Sequence, residues 1–126
     1  VYNMLKQRSY PGYLYMIDNN ATTTWEYWNG ERSHVHNCYN GIGLWFYQAL
    51  GGIRPTDDGV GYQRVIIAPQ CPKEVTWATT TRQTPYGLLR TEWRGSQLKA
   101  QIPVGVEAEV VWRGKRHIVG SGEWMF

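Results

Sequence analysis

Apolar and polar positions follow one period before about residue 60 and another after it. The earlier spacing is helical. Val1 to Gln7 reads as the tail of a helix with Val1, Tyr2 and Leu5 on one face. Ser9-Tyr10-Pro11-Gly12 breaks it, and Pro11 suits the first turn of a short helix to Asp18, where a missing N–H costs nothing. Leu14, Met16 and Ile17 supply the apolar side chains of that helix. Asn19-Asn20 is expected to stop it, because Asn tolerates the left-handed conformation at a helix end. From Asn37 to Leu50 the spacing is helical again. Ile42, Trp45, Phe46 and Ala49 fall at i, i+3, i+4 and i+7, and Gly51-Gly52 closes the segment.

Ile53 to Gly61 carries Pro, Gly and acids without a period. The expected organisation is a helical part over 1–55, a linker over 56–61 and a β part over 62–126. In the β part the period drops to two. Strands are expected at Tyr62–Ala68, Glu74–Arg82, Leu88–Arg94, Gln97–Ile102, Val106–Trp112, Lys115–Val119 and Glu123–Phe126. Gly95-Ser96 and Arg113-Gly114 read as tight turns. Short strands at this spacing argue for an antiparallel sandwich. The alternation Leu89, Thr91, Trp93 makes Glu92 an outward residue, and His117 is expected at the surface.

Composition narrows the classes. Hydrophobic content is 42%, and no apolar run is long enough to span a bilayer. The net charge is +3 with the cations scattered, apart from Arg113-Gly114-Lys115-Arg116-His117. A nucleic-acid binder wants a basic stripe, so neither nucleic acid nor membrane is an expected partner. Cys38 and Cys71 match no zinc spacing, and no metal or cofactor is expected. The two cysteines could pair, or Cys38 could be a free buried thiol. Asn20-Ala21-Thr22 fits a glycosylation sequon, but a plain helix stop explains it. The start at Val1-Tyr2-Asn3, with neither an initiator Met nor a signal peptide, reads as a piece of a longer protein.

Seven Trp and nine Tyr are many for this length, and they gather around one stretch. Ala21-Thr22-Thr23-Thr24-Trp25-Glu26-Tyr27-Trp28 sets a carboxylate between two indoles, with Ser33-His34-Val35-His36 close behind. Aromatic surroundings partly desolvate a carboxyl group and disfavour its charged form. Indole faces also stack on the C–H face of a sugar ring. The functional reading is a sugar site in which Glu26 moves a proton. The plainer reading is a surface loop with a solvated Glu and two core indoles.

Taken together, Tyr10-Pro11-Gly12-Tyr13, Thr22-Thr23-Thr24-Trp25-Glu26, Ser33-His34-Val35-His36, Gly43-Leu44-Trp45-Phe46-Tyr47 and Gly52-Ile53-Arg54-Pro55 resemble the end of the catalytic barrel of bacterial α-L-rhamnosidases, glycoside hydrolase family 78. The second half resembles that family's C-terminal β-sandwich, including Ile66 to Pro69. The fold this implies is α+β: the last helices of an (α/α)6 barrel followed by an antiparallel β-sandwich.

The resemblance implies an inverting hydrolase of terminal α-L-rhamnosides. It maps Glu26 to the general base and His36 to a rhamnose contact, with Trp25 and Trp28 as candidate sugar platforms. His34 is a weaker candidate. Ser33 or His34 is expected to cap the following helix, whose N-terminal dipole would lie near the site. The segment between the Glu and the His is shorter than in many members, and Val35 stands where the family usually has Asn. The family's general acid lies in an earlier part of the barrel, so these residues alone are expected to be inactive. Their expected partners are the rest of the barrel and a rhamnose-containing glycan or glycoside.

The alternative is a non-catalytic carbohydrate-binding or structural β-sandwich. Sugar titration monitored by Trp77, Trp93 or Trp112 fluorescence separates the two readings. No binding is expected, because alternation puts those indoles mostly in the core. Leu5, Leu14, Ile17, Trp45 and Phe46 form apolar faces whose exposure is expected to make the isolated chain self-associate or keep its helices on the sandwich in a non-barrel arrangement.

Overall fold

A computed structural model describes all residues 1–126. The chain divides into two compact units, Val1–Trp45 and Phe46–Phe126.

The first unit holds little regular structure. Helix α1 is Tyr2–Leu5 and α2 is Tyr13–Asp18. Pro11 lies two residues ahead of α2 instead of opening it, and Gly12 takes the N-cap position in an extended conformation. The stop after Asp18 is the expected one. Asn20 adopts φ 65°, and the Asn20 and Ala21 amides donate to the Ile17 and Met16 carbonyls at 2.9 Å, satisfying carbonyls the helix end leaves over. Met16 and Trp25 are the buried apolar side chains of this unit.

The helix expected over 37–50 is broken. A 3₁₀ turn spans Asn40–Ile42, an α-helical turn Gly43–Trp45 (α3), and a π-helical turn Phe46–Leu50. Gly41 and Gly43 lie inside this stretch, where glycine's backbone entropy weighs against a regular helix. Neither Ser33 nor His34 caps it. Tyr39 precedes the first turn and makes no capping hydrogen bond through its side chain.

The second unit is a sandwich of two four-stranded sheets, ordered β1-β2-β6-β7 and β3-β4-β5-β8. The strands are β1 Ile53–Pro55, β2 Arg64–Ile67, β3 Trp77–Thr84, β4 Gly87–Arg94, β5 Gln97–Ile102, β6 Glu107–Trp112, β7 Lys115–Val119 and β8 Gly122–Met125. Period-two patterning is the cause. Val65, Ile67, Leu89, Trp93, Leu98, Ala100, Ile102, Ala108, Val110 and Trp112 point inward and form one core with Ile53 and Val106. Glu92 faces out and pairs with Arg90 at 3.0 Å.

The pattern reading is corrected in its bounds: Tyr62 ends a 3₁₀ turn at Val60–Tyr62 and β2 starts at Arg64, and β3 runs Trp77–Thr84 instead of Glu74–Arg82. Two features of the pairing differ as well. First, Ile53–Pro55 is a strand, pairing Ile53 with Ile67 and Pro55 with Val65. It lies at a sheet edge, where the missing proline N–H removes no ladder bond, and Ile53 is buried. Second, one pair is parallel. β2 runs alongside β6 with Arg64 opposite Glu107 and Ile67 opposite Val110. The chain leaves the first sheet after β2, builds β3 to β5 in the second, and returns beside β2. Only such a long crossover permits a parallel pair.

The π-helical turn belongs to this core. Its late carbonyls lack helical partners, and two inward polar atoms of β4 supply them. Thr91 Oγ1 donates to the Gly51 carbonyl at 2.8 Å, and Trp93 Nε1 donates to the Leu50 carbonyl at 2.7 Å. Gly52 then turns the chain at φ +70°, with the Ala68–Pro69 backbone where a Cβ would stand. The basic run is the expected hairpin turn. Arg113 and Gly114 take φ 50° and 80° between the paired Trp112 and Lys115, the positive-φ pair of a type I′ turn.

Candidate functional site

Residues 21–39 form no helix or strand, yet the segment is well tied. The Thr24-to-Glu26 strip runs against Ser33-to-His36. The Glu26 amide donates to the Ser33 carbonyl at 2.8 Å, and the His36 amide donates to the Thr24 carbonyl at 2.9 Å. Two threonine hydroxyls add to this. Thr23 Oγ1 donates to the His34 carbonyl and Thr24 Oγ1 to the His36 carbonyl. Consecutive threonines suit such a strip, because their hydroxyls take up carbonyls that no regular ladder would satisfy. This role as cross-links needs the partner segment to be in place.

The turn between the two segments is set by Asn29-Gly30. Gly30 has φ +79°, and a Cβ there would stand 3.1 Å from the Trp25 ring. Trp25 is 6% exposed. The His34 ring lies on it at 4.8 Å and 23°, with His34 Nε2 2.7 Å from the Gly30 carbonyl. Trp25, Gly30 and His34 thus form a packed hinge.

Glu26 is half-buried. Its Oε2 accepts a long hydrogen bond from the Ser33 amide at 3.4 Å. His36 is also half-buried and lines an open depression with Thr23, Thr24, Val35, Asn37 and Asn40. The backbone thus brings the His36 segment alongside the Trp25-Glu26 segment. Val35 contributes an exposed apolar side chain to the depression.

Trp28 sits in a separate aromatic group. Tyr39 stacks on it at 4.2 Å and 27°, and Tyr13 meets it edge-on at 5.2 Å. Tyr13 Oη donates to the Tyr39 carbonyl at 2.9 Å. Burial pushes the Tyr13 phenol above its ordinary value, with Cys38 and Tyr39 adding to the shift. One face of each indole is therefore engaged, Trp25 by His34 and Trp28 by Tyr39. Tyr27 keeps an open side, 42% exposed, under the Arg32 guanidinium at 5.1 Å.

Sequence reasoning missed Thr24 and Asn40 as members of this site. The signal for Thr24 was present in the run of hydroxyls; Asn40 carries none, since it joins only through the fold. Both cysteines are free and exposed, so Cys38 is not a buried thiol. No group of His, Cys, Asp or Glu comes together as a metal site. In the sandwich, Trp93 and Trp112 are buried as alternation requires. Trp77 is not. It pairs with Arg94 on the outer side of β3, leaving Ala78 to face Trp93's side, and is 54% exposed with the Arg94 guanidinium 5.8 Å away.

Comparison with known proteins puts the change of domain between residues 50 and 52. Residues 1–50 match the bacterial alpha-L-rhamnosidase 6 hairpin glycosidase domain, and residues 52–123 match the bacterial alpha-L-rhamnosidase C-terminal domain. An α-L-rhamnosidase of Alteromonas sp. (strain LOR) is 32% identical over 88% of this chain and 14% of its own length. One from Streptomyces avermitilis is 33% identical over 86% of this chain and 12% of its own length. The chain therefore spans about one seventh or less of these relatives. Among solved structures, the native α-L-rhamnosidase of Aspergillus terreus superposes with a TM-score of 0.89 at 31% identity, covering 99% of this chain and 16% of that one. The Streptomyces avermitilis enzyme, complexed with L-rhamnose, gives 0.88 at 28% identity over 98% of this chain and 15% of that one. With a family domain matching more than half its residues, the chain belongs to the bacterial α-L-rhamnosidases.

Proposed function

We propose that these residues work as the closing part of a longer inverting α-L-rhamnosidase, contributing the end of its catalytic barrel over about 1–50 and a C-terminal sandwich that begins with the strand at Ile53–Pro55. In this reading Glu26 is the general base that takes a proton from the attacking water, and His36 contacts the terminal rhamnose of a glycan or glycoside. The observation that carries it is the strip itself. A half-buried carboxylate beside the Trp25 hinge is held in register with the His36 segment by the Glu26–Ser33 and His36–Thr24 backbone bonds. A base must stand at a fixed place relative to the sugar, because an inverting enzyme works with two carboxyl groups about 6.5–9.5 Å apart and a water between one of them and the anomeric carbon.

The acid partner comes from outside these residues. Within 1–45 the other carboxylates are Asp18, which pairs with Arg8 at 2.6 Å, and Glu31. None of the three, Glu26 included, lines the depression around His36; Glu26 meets that segment through the Ser33 amide. In this reading the preceding barrel hairpins are the chain's partner and supply the acid, and the chain alone does not turn over. Trp25 and Trp28 take a narrower role than free platforms. Trp25, 6% exposed behind His34, offers the sugar no open face; Trp28 offers only what Tyr39 leaves open.

The test is the first-formed product of the longer protein, followed by NMR on an α-L-rhamnoside. Inversion delivers β-L-rhamnose first, before mutarotation. An α-anomer appearing first, or no release of rhamnose at all, would overturn the proposal.

A further inference from the structure

Thr24 holds His36 at two points. Its carbonyl accepts from the His36 amide at 2.9 Å, and its hydroxyl donates to the His36 carbonyl. Asn40 Oδ1 lies 3.0 Å from the same hydroxyl. A hydroxyl has one proton; the His36 carbonyl can only accept it, whereas a carboxamide can present a donor instead, so the proton goes to the His36 carbonyl. Two oxygens facing one another without a proton repel. The oxygen and nitrogen of a carboxamide exchange places by a half-turn, so the consistent arrangement turns the Asn40 NH₂ toward Thr24. Its carbonyl oxygen then faces away from Thr24. Asn40 lines the same depression as His36 and Thr24, beside the apolar Val35.

We propose that Thr24 is a positioning residue that sets His36 and Asn40 together. Asn40 is then a further sugar contact, its carbonyl oxygen accepting a hydrogen bond from a ring hydroxyl of the rhamnoside. This rests on the rhamnosidase reading above. Thr24 acts through its neighbours; Asn40 touches substrate.

Two experiments test it. The first needs no activity. In the 126-residue chain, the Asn40 side-chain amide resonances shift in Thr24→Val and stay near their wild-type positions in Thr24→Ser. Unmoved resonances in Thr24→Val overturn the pairing. The second uses the longer protein on an α-L-rhamnoside. Asn40→Ala raises KM by about 3- to 10-fold, the worth of one hydrogen bond to a neutral group, with kcat held. Thr24→Val lowers kcat/KM by about 10- to 100-fold through misplacement, and Thr24→Ser restores most of it. The double variant loses less than the product of the two single losses, because Thr24→Val already disturbs the Asn40 contact. A wild-type KM in Asn40→Ala overturns the sugar contact. Thr24→Ser as impaired as Thr24→Val, or Thr24→Val as active as wild type, overturns the positioning role. A longer protein that releases no rhamnose defeats the rhamnosidase reading instead, while the resonance experiment still decides the Thr24–Asn40 pairing.

Discussion

The two units of this chain are held together by different means. The sandwich has a continuous core running from Ile53 through Trp112, and its inward polar atoms on Thr91 and Trp93 are satisfied by the turn at Leu50 and Gly51. The unit over 1–45 buries only Met16 and Trp25 among its apolar side chains. It is tied by ring pairs, by hydroxyl-to-carbonyl bonds and by short backbone contacts. Such ties cost little to open, because they exclude little apolar surface from water. Met4, Ile17, Tyr27, Val35 and Leu44 are exposed on the same unit. One region closes a core of its own; the other leaves large apolar side chains exposed, and it is the one that carries the candidate site.

The largest effect that would break this contrast is a core truncation. Trp93→Ala should destabilise the sandwich by about 3–5 kcal/mol, read by chemical denaturation of the 126-residue chain. Trp25→Ala should leave that transition where it is, because it touches a different unit, and should loosen only the amides of 24–36. Equal losses from both would mean that the two units unfold as one. Thr91→Val comes next. It keeps the shape and leaves the Gly51 carbonyl without its donor, which should cost about 1–3 kcal/mol.

Association is a gentler probe. Light scattering of the isolated chain should show mass rising with concentration, because exposed apolar faces on the first unit meet one another. A clean monomer with well-protected helices would contradict the idea that this unit wants a partner surface. The smallest effect concerns Asp58. The Thr56 hydroxyl, aided by Arg64, holds its carboxyl below the ordinary range. A carboxyl held low in the folded state contributes stability that is present above its unfolded value of about 3.9. That stability is lost as pH falls through the lower folded value. Thr56→Val should move the Asp58 titration back up toward the ordinary value, while an unchanged titration would discount the hydroxyl.

Legibility followed the same division. Alternation located β4, β5 and β6 because each side chain there meets one of two environments, a core or water. Leu89, Thr91 and Trp93 against Arg90, Glu92 and Arg94 is the clearest case. It failed at Ile53–Pro55, where three residues are too few to show a period and Gly51-Gly52 with Pro55 reads as linker. It also failed for Trp77, where the phase at the start of β3 depends on pairing with Arg94 and not on the residue's own hydrophobicity. In the first unit, Trp-Glu and His-x-His were visible as chemistry and as family resemblance. Their connection was not, because it runs through Thr23 and Thr24 hydroxyls to carbonyls ten or more residues away. The helix over 37–50 was overread, since an apolar i, i+3, i+4, i+7 spacing says nothing of the glycines between.

Glu26 is the residue on which the proposed chemistry most directly depends. Steady-state hydrolysis of an α-L-rhamnoside by the longer protein should be compared with that of its Glu26→Gln variant, which keeps shape and loses the base. Turnover should fall by about 10²- to 10⁴-fold, the worth of a positioned general base, while KM changes little. A variant that keeps wild-type kcat would show that the carboxylate beside the Trp25 hinge moves no proton in the reaction.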